Sequence, residues 1–282
     1  MRIAYILLVH KSPGQFARML RALHAPGNFY GVHVDRKAPK KVHEAIAAIC
    51  LEYAEAFIIP PRVVNWAGWS VVAAELRGIK ALLDRSEQWD RLVCLSGQDF
   101  PLVSQSRLRE LLDREPTLNY LNCLPLLDPS FRDKLPRIEY YYIELFRRVR
   151  RIPGIRRKRP GSFVVHSGDQ WFVLTREFAE FCSNAPVSLQ IQRFMRFALV
   201  PDEMYFQTVI MNSKYASTCA QRNLRKIRWD DDGGGHPRIL TMQDVPWLLE
   251  GEACFARKFD ETLDDRVLEF LESRLRDGNG GG

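Results

Sequence analysis

The first 125 residues alternate short apolar runs with stretches whose apolar positions recur every three or four residues. Ile3–Val9, Phe29–Val34, Ala56–Ile59 and Arg91–Ser96 have strand length, and near-continuous apolar runs of that length fit strands buried on both faces. Between them, residues 15–23 set Phe16, Met19, Leu20 and Leu23 on one helical face, and residues 70–83 do the same with Val71, Ala74, Ile79 and Leu82. Residues 40–50 and 105–112 predict two more helices, and residues 120–124 another strand-like run. This alternation predicts an α/β fold, a mostly parallel sheet with helices on both faces. Ligands of such sheets sit beyond the carboxyl ends of the strands, which directs attention to His10, Asp35 and residues 97–101.

Residues 127–161 break the rhythm; rich in Pro, Tyr and Arg, they read as a long excursion. Strand character returns over 162–174, and residues 177–182 and 189–199 read as helices. Residues 202–211 read as a helix opened by Pro201-Asp202-Glu203, since acidic residues in a first turn suit the helix dipole. Short strands are expected at 224–229 and 238–240 around a turn at 232–235, and a terminal amphipathic helix at 264–275. With no internal repeat and no linker, a single domain is expected, followed by a Gly-rich tail that reads as disordered.

Composition narrows the partners more than the fold. Hydrophobic residues make up 46% and charged residues 27%, the balance of a soluble globular chain. Lys and Arg number 41 against 34 Asp and Glu, a net charge of +7, which points to an anionic partner. Eight cations (Arg147, Arg148, Arg150, Arg151, Arg156, Arg157, Lys158 and Arg159) fall within thirteen residues. That stretch fits phosphate groups, nucleic acid or anionic lipid, and equally a solvated loop; few aromatics interleave with it, which speaks against stacking on single strands. The six cysteines are scattered without a Cys-x-x-Cys pair, so neither a zinc site nor a dense disulfide framework is expected, while two or three disulfides stay open. The first strand starts at residue 3 and no apolar run approaches the ~20 residues of a membrane span, so the expectation is a cytoplasmic protein.

Generic catalytic motifs are absent: no Gly-rich phosphate loop ending in Lys, no Gly-x-Ser-x-Gly and no His-Glu-x-x-His. Asp35 ends a strand, where a carboxylate can hold a ribose or simply cap a turn. Asp99 stands alone after the fourth strand, a poor site for Mg²⁺. Asp230-Asp231-Asp232 does contain Asp-x-Asp, but in a Gly-rich turn that reads as solvated. Glu203, near Tyr205 and Phe206, fits a general base or one member of a helix-capping pair. Arg238, Arg257 and Lys258 read by pattern alone as surface cations.

Taken in order, however, Ile3-Ala4-Tyr5-Ile6-Leu7-Leu8-Val9-His10, the run from Phe29 to Lys37, Ser96-Gly97-Gln98-Asp99-Phe100-Pro101, Gly168-Asp169-Gln170-Trp171, Pro201-Asp202-Glu203, Asn223-Leu224-Arg225 and Phe255-Ala256-Arg257-Lys258 resemble the core-2/I-branching β-1,6-N-acetylglucosaminyltransferases and the related peptide O-xylosyltransferases. The resemblance runs from residue 3 to about residue 260. It implies a GT-A-like single domain over 1–265, with a nucleotide-binding half at 1–125, an acceptor and catalytic half at 126–265, and a C-terminal helix and tail at 266–282. It also implies an inverting transfer of N-acetylglucosamine or xylose from a UDP-sugar co-substrate to a glycan, peptide or lipid-linked acceptor, without a cofactor or divalent metal. Glu203 falls on the family's base. Lys258 and Arg238 fall on its pyrophosphate cations, with Arg257 beside Lys258. His10 and Asp35 fall at the donor end, and Asp99, Asp169 and Trp171 at the sugar or acceptor site. The family's usual membrane anchor and stem are missing here and its cysteines do not carry over, which points to a bacterial-type cytoplasmic member, with residues 147–159 as a peripheral membrane contact and no nucleic acid as partner. The competing readings are a nucleotide-sugar or glycan binder without turnover, and a basic binder of anionic membrane or nucleic acid.

Overall fold

A computed structural model describes residues 1–128, 133–229 and 236–277. The Asp230-Asp231-Asp232 segment, the turn at 232–235 and the Gly-rich tail at 278–282 lie outside the described residues. In chain order the elements are β1 (Ile3–Val9), α1 (Pro13–Leu23), β2 (Phe29–Val34), α2 (Lys40–Leu51), β3 (Ala56–Ile59), α3 (Trp69–Arg85), β4 (Arg91–Ser96), β5 (Asp99–Pro101), α4 (Gln105–Arg114), β6 (Leu124–Pro125), α5 (Pro136–Glu139), β7 (Tyr140–Leu145), β8 (Arg148–Arg156), β9 (His166–Ser167), β10 (Val173–Thr175), α6 (Arg176–Asn184), α7 (Pro186–Met195), α8 (Tyr205–Met211), β11 (Arg225–Ile227), α9 (Val245–Leu248), β12 (Phe255–Arg257) and α10 (Arg266–Asp277).

The central sheet has the order β10-β4-β1-β2-β3. Its first four strands run parallel, and β10 closes the β4 edge antiparallel. Alternation along β1 explains the layers. Ile3, Tyr5, Leu7 and Val9 join α1, α2 and α10 in one core, while Ala4 and Ile6 join α3, α6, α7 and α8 in the other. A strand buried on both faces needs apolar side chains in both phases, and β1 supplies them. The result is a mixed α/β domain, its mostly parallel sheet flanked by helices. A second sheet, β11-β12-β5, lies beyond the β4 end and sets Arg257 opposite Asp99. Two helix starts carry conventional caps: Ser104 accepts the Arg107 N–H and Thr175 the Phe178 N–H.

The second half departs from its sequence pattern. The excursion at 127–161 contains a β-hairpin, β7 paired antiparallel with β8. Residues 120–124 and 162–174 do not make long strands; they contribute an isolated bridge at Tyr120, the two-residue pair β6–β9 and the start of β10. Residues 238–240 form no strand, and are held by the Arg238 N–H on Arg228 O and the Leu240 N–H on Lys258 O. The acidic pair Asp202 and Glu203 does not open α8. Pro201–Glu203 is a separate 3-10 turn, broken from α8 at Met204. The two carboxylates therefore stand outside the first turn of α8, and the backbone carbonyl of Glu203 accepts the Gly168 N–H at 2.8 Å. All six cysteines are free, so the disulfides left open by the sequence are not formed. No helix among the described residues is long and apolar enough to cross a membrane.

Candidate functional site

The sheet has its topological switch at β1, with β2 on one side and β4 on the other. A cavity of about 330 Å³ opens there, beyond the carboxyl ends of these strands. One wall is made of strand ends: Val9 at the end of β1 and His10 just after it, His33 and Asp35 at the end of β2, and Ser96 at the end of β4. Asp35 is tied into its loop, accepting the Lys37 N–H at 2.9 Å and the Val64 N–H at 3.3 Å. Burial lowers the pKa of His33 to about 4, and burial followed by the charge of Lys11 lowers that of His10. Both imidazoles are therefore neutral at pH 7; His33 Nε2 already accepts the Arg62 N–H at 3.2 Å, while His10 can accept a hydrogen bond.

The other wall is assembled from segments far apart in sequence: Gln170 and Trp171, Asp202, and Arg257. Gly168 makes this wall possible, because a Cβ there would lie 1.9 Å from the Asn122 carbonyl oxygen. Asp169 is locked by two amides, Asn122 Nδ2 at 2.6 Å and Asn223 Nδ2 at 2.8 Å. Trp171 is buried, and the guanidiniums of Arg257 and Arg225 stand over its ring at 4.3 and 4.7 Å. Arg225 is itself buried and paired with Asp99, Nε to Oδ1 at 3.3 Å. Asp99 also accepts the Ser96 N–H and is fully buried; it braces this wall rather than lining the cavity.

Two carboxylates stand at the 3-10 turn in different settings. Asp202 lines the cavity, is 8% exposed, and has an Oδ1 without a partner among the described residues. Burial first, then the charge of Glu203, raise its pKa to about 7. Behind it, Glu75 is fully buried on α3, its carboxyl accepts Gln170 Nε2 at 3.0 Å, and burial and the neighbouring Asp202 push its pKa well up. Glu203 is more open, with its Oε2 paired to Arg137 Nη1 at 2.6 Å. The turn is strained: Val200 at φ 51° precedes it, and its N–H meets the carbonyl of Ala67, itself at φ 63°. A β-branched residue at positive φ is an outlier of the kind that collects at functional sites.

The sequence-expected residues thus divide. His10, Asp35, Trp171 and Arg257 meet in the cavity. Asp169 adjoins it through Gln170 and Trp171, and Glu203 through Asp202. Lys258 and Arg238 stand on segments joined by the Leu240–Lys258 hydrogen bond, and the ring of neighbouring His236 lies 5.9 Å from that of Trp66 on the cavity rim. Burial first, then Arg257, lowers the pKa of Lys258, and Arg238 stands 4.0 Å from Asp244. Sequence reasoning missed Asp202, Glu75, Arg137 and Arg225 as site residues. The signal for Glu75 was its position on the buried face of α3 beside Val71, Ala74 and Ile79; Arg137 carried none. Among the described residues no group of three or more His, Cys, Asp or Glu side chains is placed to hold a metal ion. A larger cleft, about 620 Å³ between the start of α4 and α10, holds none of these residues.

The chain is 30% identical over 294 residues to xylosyltransferase 2 of Pan troglodytes, covering 97% of this chain and 34% of that protein. It is 30% identical over 301 residues to β-1,3-galactosyl-O-glycosyl-glycoprotein β-1,6-N-acetylglucosaminyltransferase 3 of Ovis aries, covering 97% of this chain and 67% of that protein. The chain therefore spans about a third of the length of the first relative. The crystal structure of mouse xyloside xylosyltransferase 1 superposes over 91% of this chain and 97% of its own, with 13% identity and a TM-score of 0.44. These mammalian relatives do not bear on a bacterial-type branch. The family model described as Core-2/I-Branching enzyme matches residues 3–247, and the chain belongs to that family.

Proposed function

We propose that this chain is an inverting glycosyltransferase on a GT-A-type frame, moving N-acetylglucosamine or xylose from a UDP-sugar to an acceptor hydroxyl without a divalent metal. The observation that carries the reading is one cavity at the strand switch, in a chain of this family, with Asp35 on one side and Trp171, Asp202 and Arg257 on the other. The nucleoside takes the strand-end wall, where Asp35 and the neutral His10 offer acceptors for ribose and base donors, and His33, whose Nε2 accepts the Arg62 N–H, offers its Nδ1–H as a donor. The diphosphate lies toward Arg257, Lys258 and Arg238, whose fixed positive charge offsets the charge that develops as the sugar bond breaks. Trp171 and Asp169 face the sugar and its acceptor. Glu203 takes the proton of the attacking hydroxyl, and attack from the face opposite the leaving group inverts the anomeric carbon in a single displacement. Arg137 neutralises Glu203 Oε2 at rest, which leaves Oε1 for the acceptor.

Thermal melting with UDP-, GDP- and dTDP-sugars, followed by assay of slow donor hydrolysis, tests the reading, since a ligand bound only by the folded state raises the melting temperature. UDP-N-acetylglucosamine or UDP-xylose should stabilise and be hydrolysed, with activity unchanged in EDTA. Stabilisation by GDP- or dTDP-sugars alone would overturn the donor assignment. Activity abolished by EDTA and restored by Mn²⁺ would overturn metal independence and turn attention to Asp230 and Asp232.

A further inference from the structure

The hairpin β7–β8 takes no part in the cavity chemistry, yet its build is specialised. Phe146 and Arg147 fill its two-residue turn, both at positive φ, 50° and 63°. This is a type I′ backbone, in which Asn-Gly is the favoured pair because larger side chains crowd it. The chain accepts that strain and sets a phenyl ring at the apex with 83% of its surface in water. Leu145 beside it and Ile155 on β8 are also exposed.

Cations surround this apolar tip. Strand register puts Arg148 opposite Leu145, Arg150 opposite Ile143 and Arg151 opposite Tyr142. The guanidinium of Arg151 lies over the Tyr140 ring at 4.3 Å, which orders it before any partner arrives. Within the hairpin the one carboxylate, Glu144, is engaged away from the tip, accepting the Ser70 N–H and Asn65 Nδ2, each at 2.6 Å. Toward its base Glu139 pairs with Arg159 and Arg157 is buried on Phe194, which leaves the cations near the tip free among the described residues. The eight cations of residues 147–159 exceed the net charge of the whole chain, +7, so the remainder is near neutral.

We propose that this hairpin docks the protein on an anionic phospholipid bilayer, with Phe146 and Leu145 entering the interfacial layer and Arg147, Arg148 and Arg150 pairing with lipid phosphates. Cations alone would suit any polyanion. The apolar apex selects the bilayer, since a strained turn presenting Phe to water gains only where the ring can leave it. Docking here would also reach the cavity. Glu144 fastens the hairpin to residues 65–70, and Val64, Trp66 and Val71 line the cavity. Gly68 keeps that joint tight, because a Cβ would lie 2.7 Å from the Glu144 carboxylate.

The inference stands apart from the sugar-transfer reading, and donor hydrolysis in vesicle-free solution tests that reading separately. The whole chain would be sedimented with vesicles of phosphatidylcholine alone, and with vesicles in which roughly a third of the lipid is phosphatidylglycerol, at low and high salt. Binding is expected only to the anionic vesicles and should weaken with salt. Phe146→Ser should weaken it roughly tenfold, and the triple change Arg147→Ser, Arg148→Ser, Arg150→Ser by more than that, with melting temperature and vesicle-free hydrolysis unchanged. Phe146→Trp should keep binding and shift its emission to the blue on anionic vesicles. Wild-type protein that ignores anionic vesicles overturns the proposal. So does a Phe146→Ser variant that binds as wild type while Phe146→Trp emission stays put, and so does preference for a soluble polyanion such as heparin over vesicles.

Discussion

The two walls of the cavity are made in different ways. The strand-end wall, with His10, His33, Asp35 and Ser96, is a by-product of sheet register: once β1, β2 and β4 pair in parallel, their last residues arrive side by side. The opposite wall has no such frame. Residues 168–171, 200–204 and 255–258 are held by single contacts, among them the Gly168 N–H on Glu203 O, the Arg257 guanidinium over Trp171, and from outside these segments the Asn122 and Asn223 amides on Asp169 and Arg225 over Trp171. A wall set by backbone register tolerates side-chain change and serves binding. A wall set atom by atom holds reacting groups at defined distances and fails when one atom is displaced.

That contrast predicts different kinetic signatures. Glu203→Gln should lower kcat roughly 10²- to 10⁴-fold while UDP-sugar binding by calorimetry survives. Asp35→Asn, on the other wall, should act mainly on KM for the donor. A Glu203→Gln enzyme with near wild-type kcat would remove Glu203 from the chemistry. Next in size, Lys258→Ala should cost roughly 2.7–4 kcal/mol of transition-state stabilisation in kcat/KM, the scale of one lost oxyanion donor; a change confined to KM would place Lys258 in ground-state binding only.

Asp202 separates the walls by pH. Its folded pKa, about 7, stands above the unfolded value of about 3.9, so the folded state holds the proton more tightly. The stability this group contributes is present in full below pH ~4 and is lost as pH rises through about 7. Asp202→Asn cannot ionise, so its advantage over wild type should widen between pH 4 and pH 8 by roughly 2–4 kcal/mol, at about 1.4 kcal/mol per tenfold difference in proton affinity. Urea titrations at the two pH values measure this, and a gap that does not change with pH would place Asp202 in a solvated setting. The smallest expected effect is steric. Gly168→Ala should destabilise by roughly 1–3 kcal/mol through the clash with Asn122. Gly161→Ala, where a Cβ would meet nothing within 4 Å, should stay within about 0.5 kcal/mol. Equal melting temperatures for both would mean the wall can give way at Asn122.

The same division marks what could be read in advance. The four parallel strands keep the bounds that their apolar runs imply; in β1, β2 and β4 this is because a strand buried on both faces writes its burial into consecutive residues, whereas β3 is a half-exposed edge strand. The location of the cavity followed from that pattern, through His10 and Asp35 at the strand ends. The second half was less legible. Its strands are two or three residues long, too short to show a period, and the hairpin β7–β8 is mostly polar on its exposed strand. Glu203 was singled out through its motif, but its setting was not legible: the pattern of Pro201-Asp202-Glu203 reads as a helix start, and the structure makes it a separate turn held by Gly168.

By itself, then, the sequence determined the layered α/β frame, the end of the sheet where the cavity opens, and the ordered motifs of the Core-2/I-branching family. Periodic burial is a local property, repeated residue after residue, and so is visible along the chain. Only the tertiary structure decided that Asp202 rather than Glu203 lines the cavity, that Arg137 pairs Glu203 across 66 residues, that Asp99 is spent on Arg225, and that Glu144 fastens the basic hairpin to the cavity rim. Each of those contacts joins residues with no periodic relation in sequence. Each is fixed by burial and charge at one point in space, which no window along the chain contains.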